Sequence, residues 1–162
     1  VGDAGWYNMR AVVEYLTPRI ELRSASTYIR RDEETGAAIS GSGGMLFEDG
    51  STSTWNCGFD SGAVNMDLRI TGSKGVIRFD DFLTNDSDGT ASHTLHTGGF
   101  GDSADIETIK SEVSRPGPAL MFEDFAAMVL ETDKIEQSMQ VSERTQRLLD
   151  AVWNSGLANE NS

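Results

Sequence analysis

The 162-residue sequence contains a single cysteine, Cys57, so no intrachain disulfide can form and the chain suits a reducing compartment. A cytoplasmic location is the expectation. Cys57 lies in an alternating, strand-like run and reads as a small buried hydrophobe. Positive charge is also scarce: 13 Lys and Arg stand against 26 Asp and Glu, for a formal net charge of −13. Such a surface repels phosphates, which argues against a nucleic-acid partner. The acids are scattered rather than blocked, so they read as solvated surface and not as a binding tail. No apolar run approaches the roughly 20 residues that a membrane span needs, so no membrane partner is expected. At this length one domain can bury roughly 70% of the surface its unfolded chain exposes.

Several kinds of chemistry lack their residues. No Gly-x-Ser-x-Gly elbow or other nucleophilic triad pattern occurs. Gly41-Ser42-Gly43-Gly44 has Leu46 where a dinucleotide fingerprint needs its third glycine, and it runs into a strand rather than a helix. Its glycines read instead as a bulge or a close backbone approach. His93 and His96, three apart with Asp102 and Asp105 downstream, lack a cysteine partner or a nearby third ligand, so no metal site is expected. Asp80-Asp81 reads as a solvated pair at a strand end.

What is present is a clear order of elements. A first amphipathic helix carries Ala11, Val12, Val13, Tyr15 and Leu16 as its apolar stripe and stops at Thr17-Pro18. Residues 19–30 alternate, with Ile20, Leu22, Ser24, Ser26 and Tyr28 on one face and Glu21, Arg23 and Thr27 on the other. After a polar loop over 31–36, a second strand spans 37–47. Asp49-Gly50 marks a hairpin turn into a third strand over 51–59. Val64, Met66, Leu68 and Ile70 alternate as a fourth, and Gly72-Ser73-Lys74-Gly75 turns into Val76, Ile77 and Phe79. These strands, joined by short turns, predict an antiparallel meander. A loop over 85–89, a short strand over 92–97 and an edge strand over 105–113 follow. The segment 115–118, with its two prolines, ends that strand. Two helices are expected over 119–132 and 139–155, the second with Ser138 as N-cap and Gly156 as stop, and the tail beyond is expected to fray. The fold class is α+β: a mostly antiparallel open β-sheet with helices packed on one face.

The chemically densest stretch is the first, Gly2-Asp3-Ala4-Gly5-Trp6-Tyr7-Asn8-Met9-Arg10. With the helix running from about Gly5, Asp3 sits at its N-terminal edge and Tyr7 one turn later, so carboxylate and phenol lie on one face. Two readings stay open. Asp3 satisfies free N–H groups at the positive end of the helix dipole, or it orients Tyr7 as an acid–base pair. Arg10 likewise has two uses, as a cation near Tyr7 or as the partner of Glu14.

Gly2-Asp3-Ala4-Gly5-Trp6-Tyr7 opening a helix resembles the Asp-x-Gly-x-Tyr (or His) motif of the Gfo/Idh/MocA oxidoreductases. The hairpin Gly44-Met45-Leu46-Phe47-Glu48-Asp49-Gly50, the run from Leu68 through Gly72-Ser73-Lys74-Gly75 to Ile77, and the late Phe125-Ala126 helix extend the resemblance from Gly2 to about Ser155. It implies that residues 1–162 form one C-terminal, substrate-binding and oligomerisation domain, with a Rossmann domain absent from the chain. The Tyr form of the motif resembles the dihydrodiol dehydrogenase and glucose-fructose oxidoreductase branch. There the tyrosine exchanges the hydroxyl proton while hydride moves between NAD or NADP and a sugar or diol. A tyrosine, with a pKa of about 10, needs a neighbouring cation for that task. In the family it is the lysine of a Glu-Lys-Pro motif. This sequence has no Glu-Lys-Pro, and its lysines are Lys74, Lys110 and Lys134.

The resemblance thus implies catalytic roles for Tyr7 and Asp3, and substrate contacts for Asn8 and Arg10. It also implies a sugar or diol substrate, NAD or NADP held through the missing domain and not by this chain alone, and a homo-oligomer, such as a dimer, formed through the sheet. The chain reads as a fragment of a longer protein that is inactive alone. The alternative is a non-catalytic β-sheet module that dimerises or binds a ligand.

Overall fold

The computed structural model describes residues 2–16, 20–83, 89–98, 105–113, 115 and 117–160, the side chains of 132–134 excepted. The expected helix stop at Thr17-Pro18, the loop residues 85–88, Asp102 and Pro116 lie outside the described residues. The elements run α1 (Gly2–Tyr15), β1 (Leu22–Arg31), β2 (Ala38–Phe47), β3 (Thr52–Gly58), β4 (Leu68–Gly72), β5 (Gly75–Phe79), β6 (Thr90–Thr97), β7 (Asp105–Glu112), α2 (Gly117–Leu130) and α3 (Thr132–Glu160). The fold class is α+β, as expected. The strands form two antiparallel meanders, β1-β2-β3 and β4-β5-β6-β7, where one continuous succession was predicted. Val64 and Met66 fall before β4; Val64 is exposed, and Met66 makes only an isolated bridge to Asp81. Contacts divide the chain into two compact units, 1–62 with 133–162, and 63–132.

In the first unit, the sequence pattern misassigns one strand face for an identifiable reason. Leu22 pairs with Phe47 and Ser24 with Leu46, so Arg23 is an extra residue on β1. Because side chains alternate, one inserted residue inverts every later position. Leu22 and Ala25 therefore both pack against the core, Thr27 is fully buried, and Tyr28 is 75% exposed. Ser24, Ser26 and Tyr28 do not continue the face of Leu22.

The core gathers Met9 of α1, Met45 and Phe47 of β2, Trp55 of β3, and Leu149 and Val152 of α3. On α1 the buried positions include Gly5, Met9 and Val13, spaced by four, whereas Tyr15 is half exposed and lies outside the apolar stripe. On α3 Thr145, Leu149, Val152 and Gly156 form the buried stripe.

Helix α3 corrects the sequence reading most. It begins at Thr132, not Met139, and runs through Gly156 to Glu160. Gly156 is a contact residue rather than a stop. A Cβ there would lie 2.7 Å from Ile29 Cγ1, so the missing side chain lets the helix lie directly on β1. Around it and on to Glu160 the helix is tied down rather than frayed: Ser155 Oγ donates to Ala25 O (3.0 Å) and Asn159 Nδ2 to Thr27 O (2.9 Å). The Arg31 guanidinium grips both Glu160 carboxylate oxygens (2.7 and 2.9 Å) and lies 5.8 Å from the centre of a Trp153 ring. Sequence patterns cannot see ties between residues 130 positions apart.

The turns are built by short polar side chains. Asp32 Oδ1 accepts from the Thr35 N–H and hydroxyl (2.9 and 2.7 Å) before Gly36, whose φ is +70°. Asp49 Oδ1 accepts likewise from Ser51 (2.9 and 2.7 Å) around Gly50, at φ +85°, so the predicted Asp-Gly hairpin holds. These hydrogen bonds hold the Asp32 and Asp49 carboxyls below their ordinary range, and Arg31 does the same for Glu160. A carboxyl whose pKa is lower folded than unfolded adds stability above its unfolded value, and loses it as pH falls through the folded value. Glu160→Gln should therefore lower the urea midpoint at pH 7, with the gap to the parent protein closing towards pH 3. A gap independent of pH would show that the Arg31 pairing contributes nothing.

In the second unit, Ser73 and Lys74 form a two-residue turn between the paired Gly72 and Gly75. A Cβ on Gly75 would lie 2.6 Å from the His96 carbonyl oxygen, which accounts for that glycine. β7 is an edge strand, as expected. Helix α2 starts at Gly117, with Pro118 in the first turn, where its missing N–H costs nothing. None of its residues is buried, so its apolar stripe is not the sheet-packing face expected from the sequence.

Candidate active site

Helix α1 positions the candidate residues by burying the opposite side. Met9 is fully buried, Gly5 and Val13 lie one turn either way, and Trp6 and Leu16 pack alongside. With that side held in the core, helical spacing puts Asp3, Tyr7, Arg10 and Glu14 on one exposed face. The helix begins at Gly2, earlier than expected, so Asp3 stands inside the first turn. Tyr7 is 44% exposed. Among the described residues, neither Asp3 nor Tyr7 makes a side-chain hydrogen bond or ion pair, so both are free to meet a ligand.

The other two candidates are engaged. Arg10 pairs with Glu14, its Nε and Nη2 lying 2.8 and 2.7 Å from Glu14 Oε1, so of its two readings the structure shows the second. The pair is half exposed, and pairs of this kind contribute only about 0.3–0.5 kcal/mol. Asn8 faces away from Tyr7 and donates from Nδ2 to Asn56 O (2.8 Å), which anchors α1 to β3. Asn56 is 48 residues from Asn8, and nothing local in the sequence signals that contact. Asp3, Tyr7 and Arg10 thus share one helix face, while the Asn8 side chain is engaged with β3.

No protein-family model matches the chain. Solved structures do. One is KijD10, a 3-ketoreductase from Actinomadura kijaniata in complex with NADP and TDP-benzene, which matches with a TM-score of 0.77 at 21% identity over 94% of this chain and 44% of its own. Another is the UDP-N-acetylglucosamine 3-dehydrogenase GnnA from Acidithiobacillus ferrooxidans, with a TM-score of 0.68 at 12% identity over 90% of this chain and 44% of its own. The chain has the fold of a Gfo/Idh/MocA C-terminal domain. It spans less than half the length of the solved structures it matches.

Within this fold, the other sequence candidates take structural places. Gly41-Ser42-Gly43-Gly44 lies in the middle of β2, paired on both sides, with no helix N-terminus to receive a phosphate. These residues do not fit a dinucleotide. His93 and His96 lie three apart on β6 and so point to opposite faces. The His93 ring packs 5.2 Å from Phe79, and His96 Nε2 shares a 3.0 Å hydrogen bond with Thr94 Oγ1. Among the described residues, no group of three or more His, Cys, Asp or Glu is placed to hold a metal ion. Asp80 pairs with Arg78 (3.1 Å), and Asp81 accepts from the Leu83 N–H (2.9 Å), as solvated turn residues do. Cys57 is half buried against the core, and burial pushes its thiol pKa up. No helix among the described residues is long and apolar enough to cross a membrane.

Proposed function

We propose that this chain is the substrate-facing, C-terminal domain of an NAD(P)-dependent oxidoreductase acting on a sugar, diol or related polyol, of the Gfo/Idh/MocA family. The observation that carries the reading is that Asp3 and Tyr7 share the exposed face at the head of a helix whose other side is locked in the core. Tyr7 is the acid–base group: its phenolic oxygen takes or returns the proton of the reacting hydroxyl. Asp3, one turn before it, is its orienting partner. Arg10 is the substrate contact, since its tie to Glu14 is weak, while Asn8, held to Asn56 O, serves to anchor α1 to β3. The fold shared with an NADP-bound 3-ketoreductase and a UDP-sugar 3-dehydrogenase supports a sugar substrate. The protein is cytoplasmic and has no nucleic-acid or membrane partner.

NAD or NADP belongs to a Rossmann domain outside this chain, since the glycine run of β2 does not fit a dinucleotide. The chain alone should therefore neither bind NAD(P)H nor turn over sugars. Calorimetric titration should show no cofactor binding in the micromolar range; a micromolar dissociation constant would overturn this part of the reading.

A homo-oligomer through the sheet is part of the same proposal, and it is also the basis of the second reading, a module that only dimerises. The outward face of β1–β3 carries Ser24, Ser26, Tyr28, Ser42, Thr54 and Asn56. Arg30, beside them on β1, is paired with Asp60. In a chain of net charge −13, the scarcity of charge on this face and its exposed Tyr28 support the reading.

A further inference from the structure

Helix α2 leaves its apolar side uncovered. Helical spacing puts Met121, Phe122, Phe125, Met128 and Val129 on one stripe. Met121, Phe122, Phe125 and Val129 are 60, 68, 61 and 64% exposed, and Met128 is half-buried. Glu123 and Asp124 lie off the stripe, and Glu123 is paired with Arg115. The compact unit that holds α2, residues 63–132, leaves this side open. A stripe of this kind belongs against a core, and its two phenylalanines and two methionines make a large, adaptable contact surface. A helix of 14 residues is also marginal in water by itself, so whatever covers the stripe also holds the helix.

The chemistry of α2 separates its conceivable partners. Helices that lie on membranes carry Lys and Arg on the polar side, whereas the charged residues of α2 are the acids Glu123 and Asp124. A second copy would have to be held by one helix about 21 Å long. Its five-residue stripe falls well short of the roughly 20–30 residues a side that a stable association uses. A domain of the same polypeptide meets a lower demand. Its tether supplies an effective concentration of about millimolar, and interfaces between domains of one chain can be as small as about 600 Å². Chain length leaves room for such a domain, since this chain spans only 44% of KijD10 and 44% of GnnA.

We infer that the apolar stripe of α2 is a docking face for the domain upstream of Val1, which meets it with an uncharged, apolar patch. This rests on the reading of the chain as the C-terminal domain of a longer oxidoreductase. The chemistry belongs to α1, and a contact that holds the two domains together belongs to α2.

The complete protein is the material for the test, with p-benzoylphenylalanine in place of Phe125, or in place of Asp124 as a control, irradiated with phosphatidylcholine and phosphatidylglycerol vesicles present. From position 125 the photoreactive group should join to a peptide that precedes Val1 in the same polypeptide, so the denatured mass stays that of one chain. From position 124 the yield should be several-fold lower. A cross-link from 125 to a second copy, to residues 63–113 or to lipid would refute the docking face, as would no cross-link or equal yields from the two positions. The upstream sequence keeps the two readings apart. A dinucleotide fingerprint there, with no cross-link to it from 125, removes only the docking face. A cross-link to an upstream domain without that fingerprint removes only the oxidoreductase.

Discussion

Tyr7→Phe in the complete protein should lower kcat by about 10²–10⁴-fold, the usual contribution of a positioned acid–base group. The size follows from the chemistry, since phenylalanine keeps the ring and its packing but has no proton to give or accept. Stability should hardly change, because Tyr7 is 44% exposed and makes no side-chain hydrogen bond among the described residues. Substitutions at such sites usually stay within about 0.5 kcal/mol. Steady-state kinetics together with a urea curve separate the cases. A loss under tenfold would make Tyr7 a surface residue, and a loss accompanied by unfolding would make it a structural one. Asp3→Asn should give a smaller loss, because an orienting partner acts only through Tyr7.

Met9→Ala should do the reverse. Met9 is fully buried two residues from Tyr7, in contact with a cluster drawn from α1, β2, β3 and α3. Truncating a buried methionine typically costs about 2–5 kcal/mol, the spread reflecting how far the site collapses around the cavity. Against a typical domain stability of about 5–15 kcal/mol, that is a large share. The expected result is a clearly lower urea midpoint for the isolated chain, with the slope of the transition kept. A shift below about 0.5 kcal/mol would mean that α1 is not held by this core. Tyr7 would then lack the rigid support its proposed role needs.

Much of the architecture was legible because it rests on local rules. The Asp49-Gly50 hairpin, the Gly72–Gly75 turn, the strand periods and the amphipathic first helix follow from turn chemistry and spacing. The misreadings are non-local. The bulge at Arg23 inverts a strand face without leaving a glycine or proline as a sign. Gly156 reads as a helix stop until Ile29 is seen beneath it, and the chain end reads as frayed until Arg31 is seen holding Glu160. At the candidate site, the shared face of Asp3 and Tyr7 followed from a spacing of four residues, and the Arg10–Glu14 pair was one of two local options. The tie from Asn8 to Asn56 depends on the packing of α1 against β3, which spacing alone does not encode.

The central claim, that α1 presents half of an oxidoreductase site, is tested most directly by sequencing the coding DNA immediately upstream of Val1. The account predicts an open reading frame encoding a Gly-x-Gly-x-x-Gly strand–turn–helix and a Glu-Lys-Pro motif. An initiation codon directly before Val1, or an upstream domain with no dinucleotide fingerprint, would contradict it.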